Sequence, residues 1–381
     1  MQPLVIVGSG LAAYMLAREW RKQDNTTPLT MLTRSQGHYY SKPQLSTALT
    51  KEQTAKTLVL KSVEAMREQL EADIMTDTTV TAIDLAQQTV SFSGQRLRYS
   101  RLVLATGASP VVLPLKGNAA DACVAVNNLE DYAIFQEWLQ QKQHLAILGA
   151  GLVGCELMND LLNTGHRPTM IALDQAPLAR FIPPVLGEVF QRVLSEKGVR
   201  WNLGVSVKTV DRHEQGYAVG LSNGDRVQAD GVLSAVGLRA CTQLARQSGL
   251  TVDRGIVVDR TLRTNVPNVY ALGDCAQVNG LVLQYVAPLL QSARALAKTL
   301  AGTITEVQYP PMPVIIKTPS CPVVTLPPAA GEEGRWQIEG GGQDWCAQYL
   351  NDKHELKGFS LMGACVKERS AFVKKMQPVW V

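Results

Sequence analysis

Residues 3–20 read PLVIVGSGLAAYMLAREW, in which an apolar strand pattern runs into a glycine turn and a helical pattern follows. Gly8, Gly10 and Ala13 fit GxGxxG/A. In this motif the first glycine permits a tight turn, the second lets the backbone approach a pyrophosphate, and the third small residue lets helix and strand pack closely. The helix N-terminus then faces the phosphates. The stretch predicts a dinucleotide site, with a merely tight turn as the alternative.

The same pattern returns in HLAILGAGLVGCELMNDLLNTG, residues 144–165, with Gly149, Gly151 and Gly154 between a strand and a helix. The next strand pattern, TMIALD, ends on Asp174, about 20 residues beyond the last glycine, where the motif places an acid on the ribose hydroxyls. A 2′-phosphate would meet like charge there, so Asp174 favours NAD over NADP. Two fingerprints in one chain argue against coincidence.

The two fingerprints differ at the ribose position. After the first one, the strand pattern PLTMLTRS ends on Thr33 and Arg34 without an acid. Either this site holds its adenosine differently, through Thr33 and the Arg34 region, or the first motif is the weaker one. We favour a different mode of adenosine binding.

Composition excludes several classes of protein. The chain has 381 residues, 46% hydrophobic and 18% charged, which is typical of a soluble α/β protein of two or three domains. No apolar run has the length of a membrane span, and the start MQPLVIVGSG lacks a charged n-region or a cleavage site, so we expect a cytoplasmic protein. The net charge of +4 is too mild to indicate nucleic acid but suits a modestly acidic protein partner.

Seven cysteines are scattered along the chain, at positions 123, 155, 241, 275, 321, 346 and 365. Their odd number argues against a disulfide framework, and no CxxC or Cys/His spacing indicates zinc or a dithiol centre. We interpret them as small buried hydrophobic residues.

Two further motifs complete a recognisable set. LVLATGAS spans residues 102–109, and TLRTNVPNVYALGDCAQV spans residues 261–278. The order GSGLAA, ATG, GAGLVG and YALGDCA resembles the two-dinucleotide flavoprotein reductases, a family related to glutathione reductase. The resemblance implies FAD at the first fingerprint, NAD(P)H at the second, and Asp274 at the ribityl or pyrophosphate region of FAD. It implies an α/β fold with two Rossmann-like domains.

The order of the motifs predicts three domains. The NAD-binding domain, residues 116–239, is inserted into an FAD-binding domain formed by residues 1–115 and 240–308. GVLSAVGLR, residues 231–239, is the predicted crossing back, where Gly237 brings the backbone close to a ligand or another segment. Residues 309–381 begin with a proline-rich stretch and continue with glycines and alternating strand patterns up to a final helix. They predict a small α+β domain.

The stretch YYSKPQLS, residues 39–46, contains Lys42 but no cysteine. Within the family, relatives of glutathione reductase carry a redox-active CxxxxC, and NADH oxidases and CoA-disulfide reductases carry one cysteine close to this place. This segment instead resembles that of rubredoxin and ferredoxin reductases. YSKPQLS, GLVGCELMNDL, GIVVDRTLRTN, YALGDCA and MPVIIKTPSCP together resemble the reductases that serve rubredoxin in bacterial alkane oxidation. That resemblance implies direct transfer of single electrons to two molecules of rubredoxin, an acidic protein.

A cation close to the flavin ring would favour the reduced flavin, and Lys42 is our first candidate. Such a lysine needs a partner to stay charged. We expect Glu156, placed in the first turn of the NAD-side helix, to be that partner, or else an acid that satisfies the helix dipole. Lys317 is a second cation candidate, with an exposed strand end as the alternative. LQYVAPLLQSARALAKTL, residues 283–300, predicts a helix with an apolar face starting near Pro288. Its N-terminus, with backbone N–H groups near Val286, would point at the flavin, or else the segment is a core helix without a ligand at its end.

These patterns predict one set of site residues. Lys42 and Glu156 are the predicted catalytic residues, and no metal ligand is predicted. The predicted cofactor-binding residues are Gly8, Ser9, Gly10, Leu11, Ala12, Ala13, Thr33, Arg34, Lys42, Pro43, Val80, Ala105, Thr106, Gly107, Gly149, Gly151, Leu152, Val153, Gly154, Asp174, Gly237, Asp274, Val286 and Lys317.

The function that the resemblance implies is an FAD-dependent NADH:rubredoxin oxidoreductase that feeds an alkane hydroxylase. A reductase of a ferredoxin or of a flavorubredoxin would share every motif. An NADH oxidase or peroxidase is disfavoured by the missing cysteine, and a flavoprotein effector that acts on nucleic acid is disfavoured by the absence of a basic tract.

Overall fold

The computed structural model describes residues 1–378, so the last three residues of the predicted third domain, 379–381, lie outside the described residues. The first part of the chain contains a 3₁₀ helix at Lys42–Thr47. Its strands and α-helices are β1 (Leu4–Val7), α1 (Leu11–Arg21), β2 (Leu29–Leu32), β3 (Tyr39–Tyr40), β4 (Val59–Lys61), α2 (Val63–Leu70), β5 (Ala72–Met75), β6 (Val80–Asp84), β7 (Thr89–Phe92), β8 (Gln95–Arg98), β9 (Arg101–Leu104) and β10 (Ala108–Pro110).

The middle of the chain begins with a 3₁₀ helix at Ala120–Ala122. Its strands and α-helices are α3 (Leu129–Leu139), β11 (His144–Leu148), α4 (Leu152–Asn163), β12 (Arg167–Ala172), α5 (Pro184–Glu196), β13 (Arg200–Leu203), β14 (Val207–His213), β15 (Gly216–Leu221), β16 (Arg226–Ala229), β17 (Gly231–Ser234) and β18 (Leu238–Ala240).

The last part of the chain has 3₁₀ helices at Gly273–Cys275 and Gly363–Glu368. Its strands and α-helices are α6 (Gln243–Gln247), β19 (Ile256–Val258), β20 (Val269–Ala271), β21 (Ala276–Val278), α7 (Val286–Leu300), β22 (Val314–Ile316), β23 (Val323–Leu326), β24 (Arg335–Gly341), β25 (Asp344–Leu350), β26 (Leu356–Met362) and α8 (Arg369–Lys375).

The first sheet is parallel and has the strand order β20-β9-β1-β2-β5. All four residues of β1 are buried, as expected where helices cover both faces of a parallel sheet. The chain reaches β2 on one side of β1 and β9 on the other. This reversal of strand order opens a crevice beyond the carboxyl end of β1, where open α/β sheets bind ligands.

The second sheet repeats this arrangement with four parallel strands in the order β13-β12-β11-β17. A three-stranded antiparallel sheet interrupts each parallel sheet in the chain: β6-β7-β8 lies between β5 and β9, and β14-β15-β16 lies between β13 and β17. The predicted α/β class with two Rossmann-like units is therefore confirmed.

Two connections relate these units to the rest of the chain. β10 and β18 pair antiparallel, so the outgoing and returning segments run side by side. β22 to β26 form a separate antiparallel sheet in the order β22-β23-β26-β25-β24. The exact domain boundaries at residues 115, 239 and 308 stay a prediction.

Packing brings an early segment onto the second unit. Leu45, Ala48 and Leu58 belong to the same buried cluster as Met158 of α4 and Ile316 of β22. Residues 42–58, which the sequence assigns to the FAD-binding domain, therefore pack against the second Rossmann-like unit and the sheet formed by β22 to β26. Three segments distant in sequence meet there.

The described residues bear on two expectations from the sequence, one about membrane-spanning segments and one about the cysteines. Within residues 1–378, none of the helices combines the length and the hydropathy that crossing a bilayer requires. All seven cysteines are free; Cys155, Cys275 and Cys321 are buried as predicted, whereas the other four are half-buried.

Candidate active site

The first glycine turn connects β1 to α1 through two glycines with different tasks. Gly8 has a φ of +122°, and a Cβ there would lie 2.2 Å from the carbonyl oxygen of Ala105. Gly10, the N-cap of α1, is extended, with φ −69° and ψ −179°, and a Cβ there would meet nothing within 4 Å. Gly8 therefore allows contact with the end of β9, and Gly10 leaves open space at the helix N-terminus. Ala13, the third residue of α1, is fully buried.

The second glycine turn connects β11 to α4 with nearly the same geometry. Gly149 has a φ of +101°, and a Cβ there would lie 2.5 Å from the carbonyl oxygen of Ala235. Gly151 caps α4 with φ −79° and ψ −170°. A Cβ on Gly154 would lie 2.1 Å from the carbonyl oxygen of Gly149, so the third position is glycine because helix and turn are in direct contact.

A large cavity of about 1730 Å³ opens beyond the first turn. This exceeds the roughly 300–1,000 Å³ of a drug-sized pocket and leaves room for an extended dinucleotide. Of the predicted site residues, those that line it are Gly8, Ser9, Gly10, Leu11, Ala12, Thr33, Arg34, Lys42, Pro43, Val80, Ala105, Thr106, Gly107, Leu152, Val153, Glu156, Asp274, Val286 and Lys317.

The remaining predicted residues lie away from this lining: Ala13, Gly149, Gly151, Gly154, Asp174 and Gly237. Asp174 is exposed two residues after β12, as a ribose-binding acid at a strand end should be. Gly237 adopts a φ of +109° while a Cβ there would meet nothing within 4 Å. Its carbonyl accepts a hydrogen bond from the Val111 amide at 3.0 Å. The left-handed backbone, and not close approach, explains why this residue is a glycine.

Lys42 begins the 3₁₀ helix that forms one wall of the cavity. Its Nζ lies 3.9 Å from Oδ2 of Asp274, and the two side chains are 33% and 20% exposed. Burial lowers the pKa of Lys42, and the carboxylate of Asp274 partly offsets this. Burial likewise raises the pKa of Asp274, and Lys42 partly offsets that shift. The predicted pairing of Lys42 with Glu156 is wrong, because Asp274 projects from the end of the first sheet toward Lys42.

Glu156 pairs with the other lysine of the cavity, Lys317. Its carboxylate accepts from the Lys317 Nζ at 2.7 Å, from the Lys317 amide at 2.9 Å and from the Ser46 hydroxyl at 2.6 Å. Glu156 is 1% exposed. It is the fifth residue of α4, whose first turn carries no acid, so the predicted first-turn position was wrong and an interaction with the helix dipole does not explain it. Its buried charge is instead compensated by these three donors.

The same face of α4 carries further polar contacts to both neighbouring segments. The carboxylate of Asp160 accepts from the amides of Leu49 and Thr50, each at 2.9 Å. Oδ1 of Asn159 accepts from the Ser320 amide at 3.1 Å. Helix α4 therefore fixes the segment that carries Lys42 and the strand end that carries Lys317 relative to the second glycine turn.

The N-terminus of α7 forms another wall. Its N-cap, Tyr285, makes no side-chain capping hydrogen bond, and Val286 and Ala287 line the cavity. A helix start without a side-chain cap presents backbone N–H groups and the positive dipole end to whatever occupies the space. The helix begins at Val286, where the N–H groups were expected, two residues before the predicted start of its apolar face near Pro288.

One thiol at the cavity was not predicted as a site residue. Among the described residues that line it, Cys241 alone is a cysteine, and its Sγ lies 3.1 Å from the Ser109 hydroxyl. Its backbone bonds to both Thr106 and Gly107. The only sequence signal was its position two residues after the predicted crossing segment, because the β10–β18 pairing that brings it to ATG is a long-range contact. A two-thiol relay would need a partner, which the described lining does not supply.

The class of protein follows from comparison with known families. The family described as pyridine nucleotide-disulphide oxidoreductase matches residues 2–297, and the rubredoxin binding C-terminal domain matches residues 306–376. The chain belongs to the pyridine nucleotide-disulphide oxidoreductase family, as its motifs predicted.

Individual relatives narrow the class further. The chain is 43% identical over 380 residues, the whole length of both proteins, to a rubredoxin-NAD(+) reductase of Alcanivorax borkumensis. It is 37% identical to a nitric oxide reductase FlRd-NAD(+) reductase of Aliivibrio fischeri, over 96% of each chain. A solved covalent complex of putidaredoxin reductase with putidaredoxin is 26% identical, with a TM-score of 0.89 over 99% of this chain and 94% of that one.

Proposed function

We propose that this protein is an FAD-dependent NADH:rubredoxin oxidoreductase. The observation that carries the proposal is the contact between Glu156 of α4 and Lys317, which lies within the segment matched by the rubredoxin-binding domain. The helix that follows the second glycine turn thereby reaches both the cavity and the segment expected to receive the electron acceptor. The similarity to the Alcanivorax rubredoxin-NAD(+) reductase over the full length supports the same assignment.

The residues of the first turn fit a bound FAD. Gly8 and Gly10 leave the N-terminus of α1 open to a pyrophosphate, and the uncapped start of α7 presents N–H groups farther along the cavity. Asp274 lies at the same cavity, beside Lys42. A bound FAD supplies the ability to accept two electrons from a nicotinamide and release them singly, which no side chain provides.

The chain's own groups would position the reactants. Lys42 supplies a partly buried positive charge at the cavity, and this charge would stabilise a flavin that becomes more negative on reduction. The second turn would hold the NADH pyrophosphate at the start of α4, with Asp174 on the ribose hydroxyls. Because Leu152 and Val153, the first two residues of α4, line the cavity, a nicotinamide can reach it from that side.

The acceptor would dock directly at the cavity rim. Lys56, Arg239 and Arg246 are among the lining residues, so an acidic rubredoxin would be steered there, and its reduction should slow as salt rises. The free state of all seven cysteines supports a cytoplasmic location. Service to an alkane hydroxylase remains a prediction by association.

A second acceptor has specific support. The similarity to the Aliivibrio FlRd-NAD(+) reductase favours a flavorubredoxin as an alternative partner. Such a protein would dock on the same residues, so the cavity does not distinguish the two acceptors.

Anaerobic stopped-flow measurements would test the proposal. The purified protein, reduced with NADH, would be mixed in turn with rubredoxin, flavorubredoxin, ferredoxin and oxygen. We expect the fastest reoxidation with rubredoxin, and the same rate in Cys241→Ser, since no thiol relay is involved. Reoxidation by oxygen at an equal rate that depends on Cys241 would instead indicate an NADH oxidase.

A further inference from the structure

The end of β2 carries hydroxyl groups where the fingerprint pattern places a carboxylate. Thr33 directly follows β2 and is 5% exposed, and Arg34 follows it with an exposed side chain. The corresponding strand of the second sheet, β12, leads to Asp174. A carboxylate at this position normally binds the ribose 2′-hydroxyl, so the first site must bind its ribose by other groups.

Three hydroxyls form a closed cluster at this place. The Ser9 hydroxyl donates to Oγ1 of Thr33 at 2.8 Å. Oγ of Ser35 lies 3.0 Å from Oγ1 of Thr33 and 3.2 Å from Oγ of Ser9. All three residues line the cavity. Oγ1 of Thr33 also accepts from the Ser35 amide at 3.3 Å, and Oγ of Ser35 accepts from the Gly37 amide at 3.4 Å. Because these amides fill acceptor positions, hydroxyl protons of the cluster can turn outward and donate to an oxygen of the ribose or of a phosphate without the cluster carrying charge.

The surroundings of the cluster contain no lining carboxylate. Among the described residues that line the cavity, the acids are Glu130, Glu156 and Asp274, none of which belongs to the segments 8–12, 32–38 or 78–81 at this end. Asp77 directly precedes the 78–81 segment, and its amide donates to the Ser35 carbonyl. Asp77 is not part of the cavity lining. Arg34 supplies a permanent positive charge at this end of the cavity, and Arg246 of α6, which packs against β6, also lines the cavity.

We propose that Ser9, Thr33 and Ser35 hold the adenosine ribose of the first dinucleotide as a neutral site, and that this site tolerates a 2′-phosphate beside Arg34. The inference rests on the proposed function, because it concerns the FAD site. A ribose carboxylate rejects a 2′-phosphate by like-charge repulsion, whereas neutral donors beside a guanidinium do not. The two nucleotide sites of the chain would then differ in their tolerance of 2′-phosphorylated adenine nucleotides.

Competition for FAD rebinding isolates the first site. Flavin-free protein would be titrated with FAD, with flavin fluorescence as the readout, in the presence of ADP or of 2′-phospho-ADP. Nucleotide bound at the second turn does not displace FAD and therefore does not contribute. We expect the two competitors to differ by less than about threefold in the wild-type protein. Exclusion of 2′-phospho-ADP by more than about thirtyfold would overturn the proposal.

Matched variants assign the effect to the cluster. Ser35→Asp should weaken 2′-phospho-ADP relative to ADP by about tenfold or more, because it adds a charge, while the near-isosteric Ser35→Asn should leave the ratio unchanged. Arg34→Gln should weaken 2′-phospho-ADP alone. Equal ratios in Ser35→Asp and Ser35→Asn would overturn the role of Ser35.

The same titration separates this proposal from the proposed function. If FAD does not bind at all, both fail together. If FAD binds but the wild-type protein excludes the 2′-phosphate, the proposed function survives and only the neutral ribose site is rejected.

Discussion

The two glycine turns share a backbone and differ in side chains. In each, the first glycine has a positive φ and faces the carbonyl at the end of the adjoining parallel strand, Ala105 in one case and Ala235 in the other. In each, the second glycine caps a helix without a side-chain hydrogen bond. The similarity reflects what a pyrophosphate demands, which is open backbone N–H groups at a helix start.

The two turns differ in their position relative to the large cavity and in the strand-end residues that are expected to contact the nucleoside. The first turn lines the large cavity, whereas the glycines of the second turn lie outside that lining. Asp174 stands at the end of β12, and uncharged Thr33 stands at the end of β2. The comparison suggests that the backbone provides general affinity for dinucleotides and that the strand-end side chains select among them.

The largest effect should come from the glycines that touch a neighbouring strand. Gly8→Ala would place a Cβ 2.2 Å from the Ala105 carbonyl, and Gly149→Ala would place one 2.5 Å from the Ala235 carbonyl, each at a positive φ. We expect a cost of about 3 kcal/mol or more in either variant, measured as a lower melting temperature of flavin-free protein. An unchanged melting temperature would show that the turns relax independently of the sheets.

Substitution of the second glycines should separate folding from binding. A Cβ on Gly10 or Gly151 would meet nothing within 4 Å, and neither has a positive φ, so Gly10→Val and Gly151→Val should melt like the wild type without ligand. The side chain would occupy the pyrophosphate position, and we expect about a hundredfold loss of affinity, or roughly 3 kcal/mol. Titrations should show FAD lost in the first variant and NADH lost in the second. Loss of both ligands in one variant would contradict two separate sites.

The strand-end acid should have a smaller effect, confined to one nucleotide. Asp174→Ala should weaken NADH by about 10- to 100-fold, the value of a hydrogen bond to a charged group, and should narrow the preference over NADPH. Asp174→Asn serves as the matched control for shape without charge. Michaelis constants for the two nucleotides would measure this, and a retained preference in Asp174→Ala would mean that the carboxylate does not contact the ribose.

Local pattern predicted the turns but not the long-range pairs at the cavity. The turns at Gly8 and Gly149 and the existence of α7 were predictable because strand, turn and helix signals are contiguous in sequence. The partner of Lys42 was not, because Asp274 reaches it through the pairing of β20 with β9, and no spacing rule encodes that contact. Cys241 was not predicted as a site residue because the pairing of β10 with β18 that brings it to the cavity is also a long-range contact. Lys317 was predicted to approach the site, but its bond to Glu156 depends on packing of the sheet formed by β22 to β26 against α4.

The two lysines extend the comparison into the cavity itself. Lys42 pairs with a carboxylate of the first Rossmann-like unit, since its Nζ lies 3.9 Å from Oδ2 of Asp274. Lys317 pairs with a carboxylate of the second unit, since its Nζ lies 2.7 Å from Oε2 of Glu156. The side chains of the wider pair are 33% and 20% exposed, and no hydrogen bond holds the ammonium group of Lys42 to Asp274 at 3.9 Å. The ammonium group of Lys317 is instead held by hydrogen bonds to Glu156, Ser46 and Pro43. We therefore expect Lys42 to act on the bound cofactor and Lys317 to hold the segments together.

Substitution at Lys42 should give the smallest effect and the clearest dependence on pH. Lys42→Met should slow reduction by NADH about tenfold, or ~1.4 kcal/mol, while FAD stays bound. Burial lowers the pKa of Lys42 below its usual 10.5, so the wild-type rate should fall as pH rises through that lowered pKa. Because the Asp274 carboxylate raises the pKa of Lys42, Asp274→Asn should move the fall to lower pH, and Lys42→Arg should abolish it since an arginine stays charged. Lys317→Arg is the matched control and should keep the wild-type profile. A fall in rate that persists in Lys42→Arg would assign the titration to another group and leave Lys42 with a structural role only.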